Sequence, residues 1–176
     1  MNETGRLKFV RGTTVADYLL IIRKLAEFAD GVQDEKAASV IIGFSVIIPR
    51  IVKVANNNGP FRSDSTSRML IVTELNDLLM SLTTKLHHKL SQAEYHCMEH
   101  MFRSGFHNPD LLHAFVEMWN KCFIGTRLAA DRSMRSLIRG VQSFNSSVFL
   151  PTLPSLESEI SKALDRLRRL RDVYGY

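Results

Sequence analysis

The pentapeptide His96-Cys97-Met98-Glu99-His100 is the sharpest chemical motif in the sequence. His96, Glu99 and His100 fit the H-x-x-E-H pattern of inverted zinc proteases, in which two histidines one helical turn apart bind the metal. A hydrolytic zinc site also needs a third protein ligand and a walled cleft, and no pattern in the sequence indicates either. We therefore predict that the match is accidental and that the protein holds no metal.

The sequence offers no better case for covalent catalysis. It contains no G-x-S-x-G motif, no phosphate-binding loop and no dinucleotide-binding glycine pattern. Cys97 follows a histidine, but no third group that would orient the pair can be named. We predict a protein that is not an enzyme and has no cofactor. Cys97 and Cys122 are read as free thiols, and with the polar start "MNETGRLKFVRG" they favour a cytoplasmic protein.

The basic residues point to a binding function. The net charge is +5 and the pI about 9.4, which favours anionic partners such as nucleic acid or acidic lipid headgroups. Two groups of arginines at helical spacing are typical of solvated helix faces that pair with acidic neighbours. They are Arg132, Arg135 and Arg139, and then Arg166, Arg168, Arg169 and Arg171.

A third basic group, Arg50, Lys53, Arg62 and Arg68, flanks the end of a very apolar stretch. A basic rim beside an apolar interior suits an amphiphile with an anionic headgroup. The headgroup phosphates accept charge-assisted hydrogen bonds from the rim, and the acyl chains leave water. These four residues are the predicted lipid headgroup site.

The apolar stretch itself, "SVIIGFSVIIPRIVKV" from Ser39 to Val54, does not fit a membrane span. A span needs roughly 20 uninterrupted apolar residues, and Arg50 and Lys53 break the run. It is typical of the central helix of a bundle, packed against core or ligand. Pro49 cannot donate a hydrogen bond to the carbonyl of Ser45, so we expect a bend there.

Apolar periodicity, caps and breakers predict one all-α domain, a single bundle of six to seven helices over residues 13–176 after a short basic segment at 1–12. The first six helices are expected to begin near Thr14, Asp34, Asp64, Ser91, Asn108 and Asp131, and the seventh after a loop that contains Pro151 and Pro154. The last helix repeats apolar residues like a heptad, at Leu156, Ile160, Ala163, Leu167 and Leu170.

Apolar side chains are plentiful, and no aromatic cluster large enough to seal the centre is evident in the sequence. We therefore expect an elongated apolar cavity between the helices. Its predicted lining residues are Ile47, Ile51, Leu75, Leu79, Phe115 and Trp119.

The order of these segments resembles the tumour necrosis factor alpha-induced protein 8 (TIPE) family over nearly the whole chain. The matching elements are Arg23, Glu27 and Phe28 at the end of the first helix, the turn Asn58-Gly59-Pro60-Phe61, the pair Leu111-Leu112, and the segments "RLAADRSMR" and "ALDRLRRL". The resemblance implies a TIPE-homology fold, similar in outline to death-effector folds, with helices around a cavity that holds phospholipid tails. It also implies a cationic mouth for phosphoinositide headgroups, a transfer or presentation role in survival signalling, and reversible membrane association.

The chain departs from that family at two arginines, which fall on Asn57 and Thr73 here. The helix that precedes the first helix in the family has no counterpart, and Arg6, Lys8 and Arg11 could replace its lysines. Two alternatives stay open. Segments such as "LIRGVQSFNSS" are similar to coat proteins of rod-shaped plant viruses, which bind RNA through arginines, although nucleic acid is not the expected partner. A death-effector-like adaptor with a filled core would bind signalling proteins instead.

Overall fold

The computed structural model describes residues 13–150 and 153–175, with side chains described for 13–150 and 160–175. These residues form eight α-helices and one short 3-10 helix at Asp34–Lys36, and they contain no strand. The α-helices are α1 Val15–Asp30, α2 Ala37–Phe44, α3 Ile48–Ala55, α4 Ser65–Thr84, α5 Gln92–Phe106, α6 Leu112–Phe123, α7 Arg132–Gln142 and α8 Leu153–Tyr174. The all-α class is confirmed. The basic segment at 1–12 lies outside the described residues.

Side-chain caps explain where several helices begin. Thr14 caps α1 and Ser91 caps α5, each in a capping box in which the acidic residue three positions later bonds back to the cap backbone. Asp64 accepts a hydrogen bond from the Ser67 amide at the start of α4, and Asp131 accepts one from the Met134 amide at the start of α7.

The bend expected at Pro49 is confirmed, and it divides the predicted second helix into α2 and α3. The two helical segments meet at 63°, and Pro49 lies in the first turn of α3, where its missing N–H costs no helical bond. Ser45 in the break donates to the carbonyls of Ile42 and Cys97, at 2.5 and 3.2 Å. The break is therefore anchored to α5.

In the described part of the chain, no single helix is both long and apolar enough to cross a bilayer. Only the bent pair Asp34–Phe44 and Ile48–Ala55, taken together, reaches that length and composition. In the structure this pair supplies core residues, among them Ile41, Ile48 and Ile51, which are fully buried.

The apolar spacing of the sequence from Met69 to Leu86 predicts a helix that continues to about Lys89, but α4 ends at Thr84. Just after this end, the Lys85 ammonium donates to the carbonyl of Ala29 in the last turn of α1 and to that of Val32 beyond it, at 2.5 and 3.0 Å. A cation at this position also interacts favourably with the carboxyl end of the α1 dipole. Leu86 and Leu90 stay buried without helical backbone, and the Leu90 amide donates to the Cys122 carbonyl at 2.8 Å.

The helix expected to begin at Asn108 begins instead at Leu112. Asn108 is buried and closes the preceding turn, where its side-chain oxygen accepts the amides of Asp110 and Leu111. Its amide nitrogen donates to the side-chain oxygen of Asn56 at 2.7 Å. Asn108 thus joins the α5–α6 turn to the end of α3.

Aromatic side chains of α5 and α6 fill the space between these two helices, so the expectation that no large aromatic cluster occupies the centre is wrong. The rings pack with centroids 4.9 to 6.4 Å apart, mostly edge to face. The cluster consists of Tyr95, Phe102, Phe106, Phe115, Trp119 and Phe123. Its members are spaced four or seven residues apart on two different helices, so neither helix alone reveals the cluster.

Candidate functional site

The six residues predicted to line a cavity all belong to or pack against the hydrophobic core. Five of them are fully buried, and Ile47 is half-buried against the core. Phe115 and Trp119 are part of the aromatic cluster, whereas Ile51, Leu75 and Leu79 come from α3 and α4. The surface grooves described below are lined by other residues.

The structure separates the four residues predicted for the headgroup rim. Arg50 and Lys53 are exposed on α3 and line one surface groove. Arg62 is exposed in the turn after α3 and does not line that groove. The Arg68 guanidinium donates to the Asp110 carboxylate at 2.7 Å and to the Ala55 carbonyl at 3.3 Å, so it ties α4 to the neighbouring turns.

The groove lined by Arg50 and Lys53 has a volume of about 430 Å³ and is called the basic groove. Its lining residues are Pro49, Arg50, Val52, Lys53, Asn56, His100, Ser104 and His107. Four of these eight are basic side chains and none is acidic, so the groove suits a compact anion such as a phosphate group. The hydrogen bond from Asn108 to Asn56, which lines the groove, connects the end of α3 to the turn after α5.

The H-x-x-E-H residues take part in other contacts. His96 and His100 are exposed, and His96 lies 3.2 Å from the side-chain nitrogen of Gln92. Glu99 accepts two hydrogen bonds from the Arg103 guanidinium, at 2.5 and 3.2 Å. Over the residues that the structure describes, no three histidine, cysteine or acidic side chains come together as metal ligands. His100 instead contributes to the basic groove.

Arg103 connects α5 to the start of α7. Besides Glu99, it donates to both carboxylate oxygens of Asp131 at 3.0 Å and to the Ser133 hydroxyl at 2.9 Å. The Met134 amide, and then the Arg103 guanidinium, hold the pKa of Asp131 below its usual value. This ionic network fixes the distance between α5 and α7 along one edge of a second groove.

The second groove has a volume of about 790 Å³ and is called the apolar groove. Its apolar lining residues come from the end of α5, the start of α6 and α7 with the following turn: Phe106, Pro109, Leu112, Leu137, Val141 and Phe144. Phe144 is 86% exposed, which is unusual for a phenylalanine side chain. Sequence reasoning missed this groove, although Leu137, Val141 and Phe144 have the three- and four-residue spacing of an apolar helix face.

The two grooves meet at the carboxyl end of α5. His107 lines both, while the adjacent residues Arg103 and Ser104 line the apolar and the basic groove respectively. The basic groove and the apolar groove are therefore neighbours, with His107 between them.

The arginines of α7 provide a separate basic surface. Arg132 and Arg139 are exposed and Arg135 is half-buried, at three- and four-residue spacing along the helix. Within residues 13–150 and 160–175, none of the three forms an ion pair with an acidic side chain.

Comparison with known proteins adds no assignment. A scan against protein-family models, a search of curated proteins and a search of solved structures each gave no match.

Proposed function

We propose that the protein is a non-enzymatic phospholipid-binding protein that takes the anionic headgroup in the basic groove and an acyl chain in the apolar groove. The observation that carries the proposal is the meeting of these two grooves at His107. A phosphoinositide is the proposed ligand class, because it combines several phosphates with long apolar chains.

The headgroup end is supported by charge and by donor geometry. Arg50 can present a planar fork of N–H donors to phosphate oxygens, and Lys53 can act as a compact positive charge. His100 and Ser104 approach the same groove from α5 and add further hydrogen-bond donors. The excess of positive charge over the whole chain supports approach to an anionic membrane surface.

The acyl end is supported by the apolar lining of the second groove. A chain lying there would cover Phe144 and the half-buried Leu137, and each methylene removed from water contributes about 0.8 kcal/mol. In this arrangement the lipid lies in surface grooves, and the aromatic cluster keeps its place in the core. Reversible association with the cytoplasmic face of a membrane is part of the proposal.

A vesicle-binding experiment tests the headgroup site. The variant Arg50→Gln with Lys53→Gln should bind vesicles containing phosphoinositide more weakly, by about 1–3 kcal/mol for each lost charged contact. The matched control is Arg132→Gln with Arg139→Gln, which removes the same charge from α7. Native mass spectrometry of the purified protein should show a bound phospholipid.

The results that contradict the proposal are equally specific. If the α3 variant binds as well as the unchanged protein while the α7 control loses binding, the headgroup site is on α7. If neither variant changes vesicle binding and no phospholipid is retained, the lipid proposal fails.

One observation favours a second candidate, an RNA-binding coat-like protein. The arginines of α7 are free of acidic partners in the described region and lie beside a filled core, which needs no lipid. Binding to RNA phosphates releases counterions, so its affinity should fall steeply with salt, with a slope of about −0.7 per phosphate contacted on a single strand. The α7 variant should then lose RNA binding, and the α3 variant should retain it.

A further inference from the structure

The amphipathic helix α8 exposes its apolar residues. It spans 22 residues from Leu153 to Tyr174, and every side chain described from 160 onward is exposed. The exposed apolar side chains include Leu167 at 62%, Ile160 at 51% and Leu170 at 42%. Exposed apolar side chains repeated along one helix indicate an interaction surface.

The spacing of these residues is that of a coiled-coil seam. Apolar residues follow alternating steps of four and three: Ile160, Ala163, Leu167, Leu170 and Tyr174. The same register continues back to Leu153 and Leu156 in the sequence, which gives three full heptads. Leu164 and Val173 flank this stripe, and the repeat of 3.5 residues is kept over the whole helix. Such a repeat matches a second helix.

Arg171 argues further against a bilayer as the occupant. It lies four residues after Leu167 and seven after Leu164, and therefore on the apolar side of the helix. A bilayer would have to accept this charge next to the apolar side chains. In a coiled coil the same position borders the seam, where a charged residue pairs with the facing helix.

We infer that α8 pairs with α8 of a second copy of this chain in an antiparallel coiled coil. The charge order along the helix selects this occupant and this orientation. The first half, 153–163, carries Glu157, Glu159 and Lys162, so one positive and two negative charges give a net charge of −1. The second half, 164–174, carries four arginines with Asp165 and Asp172, so four positive and two negative charges give a net charge of +2. Antiparallel pairing places the acidic half on the basic half, whereas parallel pairing places like net charges together.

The flanking positions give the same result residue by residue. In the antiparallel pair, Ile160 faces Leu170 of the other copy, and Ala163 faces its Leu167. This register places Arg171 of each copy beside Glu157 of the other, so the dimer contains two such charge pairs. Leu164 then meets its own copy at the centre, which accounts for an exposed leucine beside the seam. The antiparallel arrangement brings Arg166 close to its own copy once, whereas the parallel one would bring Arg166 close to Arg171 twice.

Analytical ultracentrifugation of the full chain over a concentration series tests the inference. The unchanged protein should dimerise, and Ile160→Ser with Leu167→Ser should weaken dimerisation at least roughly tenfold. The matched control, Lys162→Ser with Arg169→Ser, makes the same number of serine substitutions on the outer face and should dimerise normally. A monomeric unchanged protein, or a seam variant that dimerises normally, overturns the proposal.

Charge reversal tests the orientation. Arg171→Glu should weaken the antiparallel dimer, and adding Glu157→Arg in the same chain should restore it. If Arg171→Glu strengthens the dimer, the helices are parallel and the antiparallel assignment is wrong. If the chain stays monomeric but its vesicle binding requires Ile160 and Leu167, a membrane covers α8 instead. These outcomes do not depend on Arg50 or Lys53, so they stand apart from the test of the basic groove.

Discussion

At the scale of single residues, the two cysteines differ in solvent exposure and therefore in the acidity of their thiols. Cys97 is exposed on α5, whereas Cys122 is buried in α6 beside the aromatic cluster. Burial disfavours the thiolate and raises the pKa of Cys122 to about 12. Cys122 is therefore an inert packing residue, and only Cys97 presents a thiol to solvent.

This difference predicts how stability depends on alkaline pH. The unfolded chain loses the Cys122 proton above a pKa of about 9.0, while the folded chain keeps it up to about 12. The free energy of unfolding should therefore fall as pH rises through that interval, because the unfolded state binds fewer protons. Urea unfolding at several pH values should show a shallower decline for Cys122→Ala, whatever its baseline stability. Cys97→Ala, which removes the exposed thiol, is the matched control. Equal slopes for all three proteins would contradict the assignment.

The rim residues show what a sequence can predict at this scale. The four positive charges near the end of α3 could be predicted from residue type and proximity. The ion pair of Arg68 with Asp110 could not, because the two residues are far apart in the chain and meet only through the packing of α4 against the α5–α6 turn. The contributions of His100 and His107 were hidden for the same reason, since they reach the basic groove from another helix.

At the scale of elements, α5 and α6 pack closely because of one glycine. A β-carbon built at Gly105 would lie 2.3 Å from the ring of Phe115, far inside van der Waals contact. Gly105 is buried in the last turn of α5, so its missing side chain lets the Phe115 ring pack against the backbone.

Gly105→Ala should therefore lower the free energy of unfolding by about 1–3 kcal/mol, because the added methyl group overpacks the interface. Denaturant titration at constant pH measures the change. Gly43→Ala is the matched control, since Gly43 is also helical and a β-carbon there meets nothing within 4 Å. The control should gain up to about 1 kcal/mol from helix propensity. A stable Gly105→Ala protein would mean that Phe115 moves aside at little cost.

The helices themselves were largely predictable, and their ends were less so. A helix cap formed within four residues, such as Ser91 with Glu94, depends only on local sequence and could be predicted from it. The end of α4 at Thr84 lies beside the contact of Lys85 with carbonyls at the end of α1, and no local pattern indicates that contact. The bend at Pro49 could be predicted because it follows from the missing N–H donor of one residue. The aromatic cluster could not, because it forms only when α5 and α6 pack side by side.

At the scale of the whole molecule, the net charge of +5 and the apolar groove respond differently to salt. The Debye length shrinks from about 10 Å at about 0.1 M salt to about 3 Å at about 1 M, so exposed charges attract headgroups less. Burial of an acyl chain does not weaken in this way.

For the proposed lipid ligand, we expect soluble inositol phosphates to lose nearly all binding at high salt while intact phosphoinositide retains part of it. Isothermal titration calorimetry with the soluble headgroup, alongside vesicle flotation with the intact lipid, makes the comparison. The Arg50→Gln, Lys53→Gln variant should show little further loss at high salt. If intact lipid and soluble headgroup lose binding in parallel, the apolar groove takes no acyl chain.

The all-α class could be predicted from the sequence because it requires only local periodicity. The surface grooves could not, because each is a space between elements far apart in the chain. The apolar groove joins residues from Arg103 to Phe144, and its shape depends on the bridge from Arg103 to Asp131. The residue types indicate which chemical groups are available, whereas the packing of the helices determines which of these groups lie together.

Trp119 is the sole tryptophan of the chain, and its indole N–H donates to the Phe149 carbonyl at 2.9 Å from within the aromatic cluster. The molecule therefore carries a single tryptophan fluorophore, placed between its interior and the loop that follows α7. Its emission should be blue-shifted and poorly quenched by acrylamide in the folded state. Detachment of that loop alone would free the indole N–H while the rings stay packed, so a change in emission without loss of helical circular dichroism would report this local event in real time.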